Sequence, residues 1–198
     1  MVQTRIKGPA RRERLLDAAA QIVLAHGAAA VTMEAVALRN GINRAMAYRY
    51  FADRDDLLGQ LLHREYGRQT EHIAAQTDAV ADLEGAMRYA LRHWFLHGQL
   101  FLKLANDTGP LAVRAAAIRR ADALFWADAL GKNFSLPHDV SFRLAAFVVG
   151  GAYGVLETRT GEDDDTVIDN VALSVMAAGQ ALKTRYGWSR RADHRLPP

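Results

Sequence analysis

The run GINRAMAYRYF, residues 41–51, decides how the rest of the chain is read. It carries two arginines, Arg44 and Arg49, and two tyrosines, Tyr48 and Tyr50. Its only large aliphatic side chains are Ile42 and Met46. The pair Asn40-Gly41 signals a tight turn, because both residue types tolerate positive φ. Asn43 is a natural N-cap, so the run predicts a short helix from Asn43 to about Tyr50. On that helix Arg44 and Tyr48 are four apart and share a face, with Ala45 and Arg49 beside them. Ala47, Tyr50 and Phe51 turn the other way. One side is small, basic and phenolic, and the other packs inward.

The residues upstream supply the partners of this helix. Leu15, Leu16, Ala19, Ile22 and Val23 repeat with the period of one helix face, and His26-Gly27 is a C-terminal stop. Thr32 is placed to cap a second helix carrying Glu34 and the apolar Met33, Val36 and Ala37. Three short helices in about 40 residues, the second and third joined by a tight turn, match a helix-turn-helix. In that motif the second helix of the pair enters the major groove and its first residues meet base edges. Arg44 then offers a fork of donors to guanine. Ala45 and Met46 allow close approach and reach a thymine methyl. The Tyr48 hydroxyl and Arg49 meet phosphates, as do the hydroxyl and free backbone N–H groups at Thr32.

Charge agrees with this assignment. The whole chain carries a formal net charge of only +3. Residues 1–52 hold the bases Arg5, Lys7, Arg11, Arg12, Arg14, Arg39, Arg44 and Arg49 against the acids Glu13, Asp17 and Glu34. The positive excess is therefore local to the front of the chain, where a nucleic-acid reader needs it.

The segment from about Arg11 to Leu62 resembles the DNA-binding domain of the tetracycline-repressor (TetR) family of transcriptional regulators. Thr32, Gly41-Ile42-Asn43, Tyr48, Phe51 and Arg54-Asp55-Asp56-Leu57 stand where that family has a helix-opening Thr, a Gly-Val-Ser-like turn, a Tyr, a Phe and a Lys-Glu-x-Leu. The departures are Ala45 for a frequent Gly, Met46 for a small polar residue, and Ala47 for Leu. Because Met46 removes a hydroxyl, base preference does not carry over. The resemblance implies DNA contacts from Thr32, Arg44, Tyr48, Tyr50 and Arg54. Together with the reading of the helix, the candidate set is Thr32, Asn43, Arg44, Ala45, Met46, Tyr48, Arg49, Tyr50 and Arg54. Arg5, Lys7, Arg11 and Arg12 form a basic N-terminal arm that either adds backbone or minor-groove contacts or is an ordinary mobile terminus.

Half of the 198 residues are hydrophobic and 24% are charged, with no cysteine. The missing cysteines exclude disulfides, thiolate metal sites and a cysteine nucleophile. The N-terminus has no apolar core of a secretory signal. The most apolar run, residues 144–156, is interrupted by three glycines and a tyrosine, so no bilayer span and no membrane partner are expected. A cytoplasmic location follows by default.

Beyond the front, the pattern is helical throughout. A fourth helix starts near Asp53, with Asp55 and Asp56 in its first turn and Leu57, Leu58, Leu61 and Leu62 on its buried face. It runs to about Ile73. Further helices are expected over about 79–98, 100–106, 110–131, 138–158 and 164–186. The predicted fold is all-α: a helix-turn-helix domain over 1–55, a helical ligand-binding and dimerisation domain over 56–186, and a flexible tail over 187–198.

The region after residue 75 suggests two roles. Reading a palindromic operator takes two half-sites and hence a symmetric dimer. The last two long helices, about 138–158 and 164–186, are unusually apolar. They carry Gly150, Gly151, Ala152 and Gly154 on one and Val167, Ile168, Val171, Val175, Met176 and Leu182 on the other. Together they suit a homodimer surface, although the same residues also suit a monomer core. Tyr89, His93, Trp94, His97, Phe125 and Trp126 are candidates to line a pocket for a small hydrophobic or aromatic effector, or are core in their own right. His93 and His97 are i, i+4, but Trp94 stands where a zinc-protease motif needs Glu, so no metal and no cofactor are expected. Asp163, Asp164 and Asp165 suit the N-terminus of the last helix.

The resulting expectation is a sequence-specific regulator, by family default a repressor, released from DNA by its effector, and not an enzyme. The alternative is an all-helical enzyme or carrier acting on a hydrophobic small molecule. Against it, the sequence has no nucleophile–base constellation, phosphate loop or metal motif.

Overall fold

The computed structural model describes residues 8–79, 81–105, 109–158 and 164–192. Among them the regular structure is entirely helical. In order the helices are α1 (Gly8–His26), α2 (Met33–Arg39), α3 (Arg44–Ala47), α4 (Arg54–Gln76), α5 (Leu83–His97), α6 (Gln99–Ala105), α7 (Pro110–Phe134), α8 (His138–Thr158) and α9 (Asp164–Ala192), with a 3-10 turn over Ala28–Ala30. The chain groups into two compact units. One comprises residues up to Arg68 together with Gly98–Ala116, and the other comprises Gln69–His97 with the residues from Ala117 on.

In the first unit the expected buried faces are observed. Leu15, Leu16, Ala19, Ile22 and Val23 of α1 and Leu57, Leu58, Leu61 and Leu62 of α4 are all almost wholly buried. Phe101 and Leu104 of α6 are also core residues. Their aromatic and leucine side chains are the size that contributes about 1.5–3 kcal/mol each on full burial. Gly27 ends α1 at φ 83°, a conformation glycine takes without a Cβ penalty. Asp53 accepts from the backbone N–H of Asp56 at 2.7 Å, and the Asp56 carboxylate accepts from the N–H of Ala52 at 2.9 Å. That reciprocal capping starts α4.

The core of the second unit is built from Leu83 and Met87 of α5, Leu130 and Phe134 of α7, Leu144 and Val149 of α8, and Val175 of α9. A Cβ on Gly179 of α9 would come within 2.2 Å of the Phe134 ring. Gly179→Ala is therefore expected to lower stability by about 1–3 kcal/mol through overpacking, against the gain of up to about 1 kcal/mol that alanine brings to a helix. Urea denaturation followed by circular dichroism checks this. An unchanged or raised midpoint would mean that Phe134 swings aside freely.

Several expected boundaries move. The third helix stops at Ala47, and Tyr48–Tyr50 form a turn rather than helix. The chain has to bend there to bury Ala47 and Phe51 before α4 begins. The fifth starts at Leu83 instead of 79, because the Asp78 and Asp82 carboxylates accept from the N–H groups of Ala81 and Gly85 and hold a turn. The seventh passes through Gly131-Lys132-Asn133 and ends at Phe134. Ser135, just beyond the helix, takes a positive φ of 54°. The ninth continues to Ala192, into residues expected to be tail, since Gly187 alone does not interrupt a helix and the prolines come only at the end. The remainder of that tail, and Arg5, Lys7 and Asp163, lie outside the described residues. Arg11 and Arg12 belong to α1 itself.

One exclusion is corrected. Helix α8 is long and apolar enough, by length and composition alone, to cross a membrane. The exclusion rested on the glycines of 144–156, but glycine barely lowers the average when alanine, valine, phenylalanine and leucine surround it over a full 18 residues.

Candidate functional site

The candidate reading face is organised by two caps and one glycine. The Thr32 side chain accepts from the N–H of Ala35 at 3.0 Å and opens α2. The Asn43 carboxamide oxygen accepts from the N–H of Met46 at 2.8 Å and opens α3. Between them Gly41 takes φ 63°. Asn40 does not share that conformation. It stays at φ −97°, and its side-chain amide donates to the Val36 carbonyl at 3.0 Å. The turn therefore relies on one glycine and not on a pair.

Arg44, Ala45, Tyr48 and Arg49 are all exposed, while Ala47 and Phe51 are buried and Met46 and Tyr50 are half-buried. The structure brings Arg44 and Tyr48 into direct contact. The guanidinium donates to the Tyr48 hydroxyl at 2.9 Å and lies 5.3 Å from the ring centre. That hydrogen bond is the main reason the Arg44 pKa stands above the ordinary guanidinium value. Arg49 turns instead toward the Met46 sulfur at 3.6 Å. The outer face of α3 is thus a stacked cation and phenol with a thioether beside it. Such a surface can donate to base edges or phosphates, but it has no side chain arranged for proton transfer to a bound substrate.

Arg54 is placed differently. Its guanidinium donates to the carbonyls of Val31 at 3.1 Å and Ala28 at 2.9 Å and pairs with Asp55 at 3.0 Å. It ties the start of α4 to the segment that presents Thr32. Arg12 reaches α4 while staying partly exposed: it donates to the Gln60 carboxamide and lies 5.7 Å from the Phe51 ring centre.

The aromatic candidates of the second unit form separate groups. The Tyr89 hydroxyl is 2.8 Å from His72 Nε2. The His72 ring stacks on His93 at 4.5 Å, and His93 contacts His97 at 4.9 Å. Sequence reading missed His72, which lies on α4 and has no spacing signal linking it to α5. Among the described residues no group of three or more His, Cys, Asp or Glu side chains is arranged to hold a metal ion. Trp94 packs edge-on against Tyr153 at 6.1 Å, and the Tyr153 hydroxyl donates to Asp122 at 3.1 Å. Trp126 is packed against the core, whereas the neighbouring Phe125 is 49% exposed.

Burial and the adjacent His72 and His97 lower the pKa of His93 below the ordinary imidazole value. A lowered histidine pKa means that the unfolded chain binds the proton more readily. The contribution of His93 to stability is then intact above about pH 6.5 and is lost as pH falls through that value toward the folded pKa. Proton NMR titration of the His93 ring should give a midpoint below that of a reference peptide. A midpoint at or above the reference would contradict the assigned burial.

The last two helices carry an apolar surface of their own. A cavity of about 460 Å3 runs along α8 and α9, bordered by Leu144, Val148, Val155, Val167 and Val171. Beside it Phe147 is 77% exposed and Leu173 is 63% exposed. A Cβ on Gly150, Gly151 or Gly154 would touch nothing within 4 Å. Of the residues expected on this surface, Val175 lines the cavity while also being buried in the core, and Ile168 is almost wholly buried and does not line it, because a 3.6-residue period divides the apolar side chains of α9 between two faces.

Comparison with known proteins bears on both regions. The family model described as "Bacterial regulatory proteins, tetR family" matches residues 15–61. The chain is 39% identical over 105 residues to the HTH-type transcriptional repressor KstR of Mycolicibacterium smegmatis, covering 53% of this chain and 48% of that protein. It is 33% identical over 73 residues to the HTH-type transcriptional regulator BetI of Rhizobium meliloti, covering 37% of this chain and 36% of that one. The matched stretches thus span less than half the length of these curated relatives. In structure it resembles the fatty acid degradation regulator FadR from Bacillus halodurans, with a TM-score of 0.70 at 17% identity, over 86% of this chain and 96% of that one.

Proposed function

We propose that this chain, whose residues 15–61 match the family model of tetR bacterial regulatory proteins, is a dimeric, ligand-responsive transcriptional repressor acting in the cytoplasm. The observation that carries the reading is the exposed Arg44–Tyr48 pair at the start of a capped helix. Thr32, Asn43, Ala45, Met46, Arg49, Tyr50 and Arg54 complete the proposed contact set. Arg54 acts mainly by fixing the segment before Thr32.

Residues 1–55 act as the reader and 56–186 as the effector and dimer region. Dimerisation uses the apolar face of α8 and α9, where Phe147 and Leu173 stand exposed and the glycine Cβ positions are open. A second protomer brought close there covers surface that a single chain leaves to water. The same pairing accounts for the hydropathy of α8 without a bilayer. Enzymatic turnover forms no part of the proposal.

The effector is a small hydrophobic or aromatic molecule bound near Tyr89, His93, Trp94, His97, Phe125 and Trp126. The aromatic side chains grouped there support an apolar ligand class. Helix α4 belongs to the first unit through Arg68 and to the second from Gln69, so it is the proposed lever. A ligand that prefers the dimer with a different spacing of its α3 helices lowers operator affinity by its differential binding energy. At about 1–3 kcal/mol that coupling changes affinity roughly 5–150-fold.

The test is selection of genomic fragments by the purified protein at two salt concentrations. One enriched palindromic site, lost in a variant carrying Arg44→Ala and Tyr48→Ala, is the expected result. Weak, steeply salt-dependent binding without a preferred site would reduce the basic front to general electrostatics.

A further inference from the structure

A second cavity, of about 280 Å3, lies wholly within the first unit. It is lined by Arg12 of α1, Gly59, Gln60, His63 and Arg64 of α4, and Arg114 of α7. Three guanidinium groups share this lining and no carboxylate does. Like charges gathered in one concavity repel unless something neutralises them. Arg64 is neutralised from outside the cavity by Glu13 at 3.1 Å, Asp17 at 2.9 Å and Glu65 at 2.9 Å. Arg12 pairs with Glu13 at 3.2 Å and donates to Gln60.

Arg114 differs from both. Among the described residues it has no ion pair and no hydrogen bond, and its guanidinium rests beside Gly59. A Cβ on Gly59 would lie 2.3 Å from its Nη1 and 2.5 Å from its Cζ. The guanidinium thus lies against bare helix backbone, in a place that only glycine leaves open. Asp56, the carboxylate whose pKa is lowered in part by Arg114 and Arg12, is already held by the Gln60 amide at 2.7 Å and the Ala52 N–H. Asp56 thus lies within electrostatic reach of Arg114 and Arg12, but it is not part of the lining, where the only charged side chains are guanidiniums and the imidazole of His63 completes the set. A planar guanidinium fork beside two further guanidiniums matches the geometry of a tetrahedral oxyanion. The volume admits a phosphate group together with several waters of roughly 30 Å3 each.

We propose that this pocket between α1, α4 and α7 is a binding site for a phosphate-sized dianion, either free or as the phosphate end of a small metabolite. It is separate from the reading face of α3 and from the aromatic region of the second unit, and it stands whether or not the operator reading does. Gly59 makes the site by letting Arg114 approach the α4 backbone. Arg114 supplies the unneutralised charge, and Arg12 and Arg64 supply its walls.

The experiment is isothermal titration of the full chain with inorganic phosphate, sulfate and adenosine 5′-monophosphate at constant ionic strength in chloride. Saturable binding at one site per chain is expected. Arg114→Gln should weaken it about tenfold or more while changing the melting temperature in chloride little, since Arg114 is exposed and makes no hydrogen bond or ion pair among the described residues. Gly59→Ala, whose methyl displaces the guanidinium, should also weaken it. Arg143→Gln, remote on α8, should bind as the parent does. Similar affinity for phosphate and the nucleotide would identify the free ion as sufficient, and much tighter nucleotide binding would identify the esterified form; both support the site. No saturable binding beyond chloride, or parent-like binding by Arg114→Gln, overturns it. So does direct displacement of phosphate by non-specific DNA duplex, which would assign the pocket to the DNA backbone.

Discussion

Replacing Arg44 by alanine is expected to weaken binding to the selected operator by about 1–3 kcal/mol, roughly 5–150-fold. Binding to unrelated duplex should change much less. The asymmetry follows from position. Arg44 is the first residue of α3, exposed, and aimed by its hydrogen bond to Tyr48. A phosphate-binding arginine would lose affinity uniformly across sequences, and the salt slope would drop by about one. Tyr48→Phe removes the acceptor that orients the guanidinium but keeps the ring beneath it, so its effect should be smaller. Because the two side chains touch, the double substitution should cost less than the sum of its parts. Gel-shift titrations of operator and scrambled duplex, with parent and the three variants, give all of these quantities. Equal losses on both duplexes would remove Arg44 from base reading.

Phe147→Glu combined with Leu173→Glu is expected to turn the dimer into a monomer at micromolar concentration. Each side chain is largely exposed in the protomer, so its replacement leaves the fold intact. In a two-fold interface every substitution enters twice. Losing an apolar anchor worth about 1.5–3 kcal/mol at several places, and burying unpaired carboxylates in their stead, should weaken association at least about a thousandfold. Operator affinity should fall with it, since one α3 reads only a half-site. Sedimentation velocity of parent and variant decides the matter, with circular dichroism to verify helicity. A parent that is already monomeric would overturn the proposed dimer, and a variant that stays dimeric would move the interface elsewhere.

Much of the first unit was legible because its signals are local. A hydroxyl at Thr32, a carboxamide at Asn43 and a glycine at Gly41 each satisfy a backbone requirement within four residues of themselves. The caps and the turn were therefore read from spacing alone, and the hydrogen bonds at Ala35 and Met46 follow from it. The aromatic region was only partly legible. Tyr89, His93 and His97 share a helix and could be grouped by period. Their partner His72 comes from another helix, and nothing in its neighbours records that pairing. Phe125 and Trp126 are adjacent in sequence yet face different surroundings, because consecutive helical residues point about 100° apart.

From the sequence alone came the all-helical class, the order of the helices, the helix-turn-helix and the basic front, since each depends on periodicity, capping and composition. Tertiary structure alone decided which arginines keep their guanidinium on the surface and which are tied to other segments of the protein. Arg44 remains exposed because its partner Tyr48 lies on the same helix face. Arg54 is committed to carbonyls more than twenty residues away, and Arg114 lies against the α4 backbone at Gly59, where no side chain stands in its way. A guanidinium looks the same in every sequence. Its role depends on the acceptors within reach of its long side chain, and the packing of distant segments determines which those are.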